Sequence, residues 1–192
     1  MMRKIVWIGL GLWAFGAGLW AQESASGERR HAFNVCPVAV AFGIYSANYM
    51  YLYDQTHGFD FRLETSGVSN DDMEVESRSY VFNYRYHLDH KMESLFIGGY
   101  VWQRISEGDG RVKGVAFDYD YTESVVGVNI GKRWVWKNGF NIVWSGGYGA
   151  LVNDETVSPS SPAIRSAVED FKEEAIGIYG ALFGELSIGY VF

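Results

Sequence analysis

Few side chains in this sequence could make or break a bond: His57, His87 and His90, the serines around them, and a single cysteine, Cys36. Acyl hydrolysis or transfer needs a serine or cysteine nucleophile beside a histidine base, with an acid to orient the base. None of these histidines has a serine at motif spacing, and Ser79 lies far along the chain from His87. Neither His-x-Ser nor Gly-x-Ser-x-Gly occurs, so the sequence points to no catalytic residue. Cys36 can form no internal disulfide and supplies no metal-ligand pair. It reads as a small apolar side chain on a strand. With no phosphate-binding glycine loop, neither a metal nor a cofactor is expected.

The charged residues are more informative, because of their spacing. Asp60, Arg62 and Glu64 alternate with Phe59, Phe61 and Leu63. Asn83, Arg85 and His87, with Ser79 and Val81, alternate with Tyr80, Phe82, Tyr84, Tyr86 and Leu88. At the other end of the chain, Glu185, Ser187 and Gly189 alternate with Leu186, Ile188, Tyr190 and Phe192. A period of two is the signature of β-strands with one apolar and one polar face. Parity places Asp60, Arg62, Glu64, Asn83, Arg85, His87, Asn129, Arg133 and Glu185 together on the polar face. If that face lines a closed barrel, the mixed charges must pair, because an uncompensated buried charge costs several kcal/mol.

The strands that would position these groups fall at 32–41, 44–53, 58–66, 76–88, 94–104, 116–135, 140–152 and 176–192. Short links at 54–58, 89–93 and 136–139 alternate with longer ones at 67–75, 106–114 and 153–174, as in membrane barrels with short turns on one side and long loops on the other. The long loops 106–114 and 153–174 are the candidate recognition surfaces. Within 153–174, Ser161-Pro162 followed by Ile164, Val168, Phe171 and Ala175 has the grammar of a short helix. Pro37 inside the first strand is a departure from strand chemistry.

Composition agrees with strands. Of 192 residues, 17% are aromatic, and 23 glycines stand against 3 prolines. Eight strands leave room inside for modest side chains only, so this many bulky aromatics belong on the outside. Tyr51, Tyr53, Tyr86, Trp102 and Trp134, near strand ends, suit an aromatic girdle. The net charge of −7, without a basic cluster beyond Arg29-Arg30, excludes nucleic acid as a partner. Met1-Met2-Arg3-Lys4 followed by an uncharged run to Trp20 has the layout of a secretory signal peptide. Cleavage near Ala21 leaves a short segment 22–31 before a domain over 32–192.

The terminal run Gly184-Glu185-Leu186-Ser187-Ile188-Gly189-Tyr190-Val191-Phe192 resembles the C-terminal recognition signal of bacterial outer-membrane barrels. The layout of 32–192 is similar to that of the small OmpA/OmpX-type barrels. Asn34, Pro37, Gly43, Ser46, Tyr49 and His57-Gly58 resemble positions in a family of small uncharacterised outer-membrane barrel proteins. The resemblance implies that Leu186, Ile188, Tyr190 and Phe192 are read by the barrel-assembly machinery. It implies no activity.

The expectation is therefore an all-β, eight-stranded antiparallel up-and-down transmembrane β-barrel, exported to the outer membrane as a monomer among its lipids. Its role would be structural or surface-binding rather than enzymatic. One alternative is a soluble periplasmic barrel holding an apolar ligand in an aromatic interior. Another is an outer-membrane enzyme acting on lipid.

Overall fold

A computed structural model describes residues 29–69, 73–112, 115–157 and 182–192. The expected signal peptide, the segment 22–28 and the helix expected from Ser161 lie outside the described residues. The strands are β1 (His31–Val35), β2 (Ile44–Leu52), β3 (His57–Ser69), β4 (Met73–His87), β5 (Leu95–Val112), β6 (Val115–Val135), β7 (Phe140–Val157) and β8 (Leu182–Val191), with a one-turn helix α1 (Pro37–Val40) between β1 and β2. Each strand pairs antiparallel with the next, and β1 pairs with β8 from Ala32↔Val191 to Val35↔Ile188. The result is a closed eight-stranded up-and-down barrel.

Alternation now has a direction. Phe59, Phe61, Leu63, Tyr80 and Phe82 point out and are exposed, while Asp60, Arg62, Asn83, Arg85 and His87 point in and are buried. The alternating aromatic face of β3 and β4 is the exterior, the reverse of the facing that the soluble ligand-binding alternative assumes. One outward row runs Tyr84, Gly99, Val128, Tyr148 and Leu182 across neighbouring strands. The apolar exterior ends along the row Tyr80–Gln103–Ser124. Beyond it, β4 and β5 turn Arg78, Glu76, Glu74, Glu107 and Asp109 outward, all exposed.

At the turn end the links are tight and polar. Asp54 Oδ1 accepts the backbone N–H groups of Thr56 (3.2 Å) and His57 (2.9 Å), fixing the turn between β2 and β3. Gly139 takes φ +91° in the turn before β7, where a side chain would also run into the Tyr190 ring.

Three expectations are corrected. The first strand stops at Val35 instead of 41, because Pro37 has no N–H for the ladder and starts the turn of α1; Gly43, at φ +73°, then reverses the chain. The segments 67–75 and 106–114 are largely strand, with pairing out to Ser69↔Glu74 and Val112↔Val115. Their polar, glycine-containing composition reads as loop, but ladder bonds are made by the backbone and persist where the side chains are hydrophilic. β7 likewise carries on to Val157. Finally, Trp102 belongs to no girdle: it faces inward with Val81, Tyr100, Val125 and Phe183.

Candidate functional site in the barrel lumen

The inward face is layered along the barrel axis. At the turn end Ala32, Met50, Leu52, Met92 and Val191 form an apolar plug, with Val135 packed on it. Toward the loops lies a polar layer, then a second apolar layer of Val81, Tyr100, Val125 and Phe183. Glycines make this filling possible. A Cβ on Gly127 would enter the Tyr100 ring, and one on Gly131 would meet the end of the Phe96 ring.

The polar layer centres on Glu185. Arg85 Nη2 donates to its Oε2 at 2.6 Å and reaches Asp60 Oδ1 at 3.2 Å. Asn48 (2.9 Å) and Ser187 (2.7 Å) donate to Oε1, and Ser145 donates to Oε2 (3.3 Å). Arg85 also lies over the Phe96 ring, 4.7 Å from its centroid. Arg133 donates to Asn141 Oδ1 at 2.7 Å and to the Met50 sulfur at 3.0 Å, and Asn129 donates to Asn83 at 2.7 Å. His87 is buried, with neither ring nitrogen hydrogen-bonded to a side chain, and its ring packs on Phe96.

The structure thus gathers Asp60, Arg85 and Glu185 into one ion cluster, with Asn83, His87, Asn129 and Arg133 in the same layer. Arg62 and Glu64 sit apart, nearer the loop end, 3.3 Å from each other. A further pair there was missing from the sequence reading: Arg104 Nη1 lies 3.1 Å from Glu123 Oε1, and Tyr121 donates to Glu123 Oε2 at 3.0 Å. Asn48, Asn141 and Ser145 were also missing. Strand parity places all of them inward, since each alternates with an outward neighbour.

The other histidines are at the turn end. His57 Nδ1 and the Tyr84 hydroxyl are 2.6 Å apart, as are His31 Nδ1 and the Tyr49 hydroxyl, and His90 Nδ1 bonds the Thr56 hydroxyl at 2.8 Å. Among the described residues no histidine is bonded to a serine hydroxyl, and no group of His, Cys, Asp and Glu side chains is arranged to hold a metal. Leu186, Tyr190 and Phe192 all lie on the exposed outer face, with the Phe192 ring stacked on His31 at 5.7 Å.

No family model and no curated protein matches the chain. One solved structure does match. It is the crystal structure of Acinetobacter baumannii CarO2, at 8% identity and a TM-score of 0.43, covering 85% of this chain and 98% of that one. The lumen is read on its own geometry.

Proposed function

We propose that the chain is an integral outer-membrane β-barrel with a filled lumen, whose raised wall of β3 to β7 is a surface for binding outside the membrane, and that it performs no catalysis. The observation that carries this reading is the continuous apolar exterior bounded by the Tyr80–Gln103–Ser124 row, around an interior of bonded charges. Val128, Tyr148 and Leu182 are each more than 60% exposed in one row. An apolar surface of that extent needs a partner, and lipid covers it on every side at once. A barrel has no free edge, so its backbone groups are satisfied at membrane depth.

The raised wall follows from strand length. β6 has 21 residues, and among its described side chains the exposed apolar ones lie between Val126 and Trp134. The remainder of the strand extends past the apolar belt, which in membrane barrels is about 25 Å tall. The terminal residues Leu186, Ile188, Tyr190 and Phe192 face the lipid side, where assembly machinery could read them.

The test is to purify the chain in detergent and compare unheated with boiled samples on one denaturing gel. A heat-dependent mobility shift, and quenching of outward tryptophans such as Trp144 by lipids brominated in their acyl chains, is the expected result. A monomer that stays folded in plain buffer overturns the membrane reading.

A further inference from the structure

The loop end of the lumen contains a cavity of about 280 Å³ whose walls include Arg62, Glu64, Ser79, Trp102, Arg104 and Phe183. Ligand cavities usually run from about 300 to 1,000 Å³, so this one suits a very small solute. It lies above the second apolar layer and is separate from the Glu185 cluster.

Two of its donors are poorly matched, the Arg62 guanidinium and the Trp102 indole N–H. The Arg62 side chain is only 5% exposed, yet its polar contacts are long: 3.3 Å from Nε to Glu64 and 3.4 Å from Nη1 to the Gly184 carbonyl. Charge-assisted bonds from guanidinium to carboxylate usually measure about 2.7–2.9 Å, and Arg85 shows in the same barrel that one is attainable. Among the described residues the Arg62 Nε also lacks a well-aligned acceptor, and the sealed Trp102 Nε1 has none. Glu64 takes Ser46 and Arg62 on the same oxygen, Oε1, and Glu123 accepts from Tyr121 on Oε2 and lies beside Arg104 through Oε1. Both guanidiniums are held in place by aromatic rings: Arg62 lies 4.5 Å over Phe183 and Arg104 4.4 Å over Trp102.

We propose that this vestibule binds a small monocarboxylate, with Arg62 as the principal donor and Trp102 Nε1 and the serine hydroxyls completing the shell. A planar carboxylate matches the edge of a planar guanidinium. Glu64 and Glu123 close by disfavour a more highly charged anion. The inference concerns the inside of the barrel and holds whatever covers the outside.

The test is calorimetric titration of the purified chain in micelles with sodium acetate and sodium propionate, against sodium chloride and inorganic phosphate at matched ionic strength. Saturable carboxylate binding is expected, weakened at least tenfold in Arg62→Gln and several-fold in Trp102→Phe, and unchanged in the outward control Arg78→Gln. Each variant is first checked for the heat-dependent gel shift. If Arg62→Gln does not fold, Trp102→Phe and Arg104→Gln decide. Absence of saturation, binding indifferent to these substitutions, or tighter binding of phosphate overturns the proposal. A chain that is instead soluble in plain buffer sinks the membrane reading, and the same titration in that buffer then decides the vestibule on its own.

Discussion

Arg85 and Glu185 meet across the lumen, Nη2 to Oε2 at 2.6 Å, tying β4 to β8 on opposite walls of the barrel with both side chains closed to solvent. Two strands that never share a ladder are thus held together through one guanidinium, which also serves Asp60.

Arg85→Ala leaves Asp60 and Glu185 close together without the guanidinium that bonds both. Breaking a buried pair from one side costs about 3–5 kcal/mol, so the urea midpoint of the barrel in micelles should fall sharply. Arg78→Ala, on the exposed outer face, should stay within about 0.5 kcal/mol of the parent. Equal midpoints for the two variants would remove the Glu185 cluster from the account of stability.

Two glycines of β8 should behave oppositely. A Cβ on Gly189 would collide with the Phe33 carbonyl oxygen and the Asn34 side chain at the β1–β8 seam, whereas one on Gly184 would meet nothing within 4 Å. Gly189→Ala should cost roughly 1–3 kcal/mol, as overpacking does, and reduce the fraction of heat-shifting barrel. Gly184→Ala should be close to neutral in the same gel assay.

The raised wall carries a repulsive row. Glu76 is registered opposite Glu107, and Glu107 opposite Asp120. Like charges directly across a ladder destabilise by roughly 0.2–1 kcal/mol relative to neutral pairs. Glu107→Lys should therefore slow amide exchange in the wall while leaving exchange below the Tyr80–Gln103–Ser124 row unchanged. Faster exchange in the variant would contradict the register.

The β2–β3 turn should respond to acid. The backbone N–H of His57, followed by that of Thr56, holds the Asp54 carboxyl below its ordinary range. The folded value lies below the unfolded one, so the cap is whole above the unfolded carboxylate pKa of about 3.9. It is lost as pH falls through the lower folded value. The Thr56 and His57 amide resonances should shift in that acid window, and Asp54→Asn should abolish the shift.

The barrel was legible in the sequence because alternation fixes facing: once Phe59, Phe61 and Leu63 were set against Asp60, Arg62 and Glu64, a single choice of inside and outside oriented every strand. Strand ends were less legible. Residues such as Glu74 and Asp109 lie where side chains no longer contrast, and only the backbone ladder carries the strand onward. Trp102 misled for a related reason, since its size suggested the exterior, while its even position beside Tyr100 and Arg104 placed it within. The separation of Arg62–Glu64 from the Glu185 cluster was not readable at all, because parity gives the face but not which side chains reach one another across the lumen.

The β1–β8 seam also sets an order of events. Until Leu182–Val191 has been delivered, His31–Val35 has only β2 beside it and its other row of backbone groups stays unpaired. Every strand from β2 to β7 can find a neighbour earlier, yet the cylinder cannot shut before the last strand arrives. Contacts between the most distant parts of a chain are the slowest to form. Closure of the cylinder is therefore a single late event, and the unpaired edge of β1 must be kept from pairing with other chains throughout the wait.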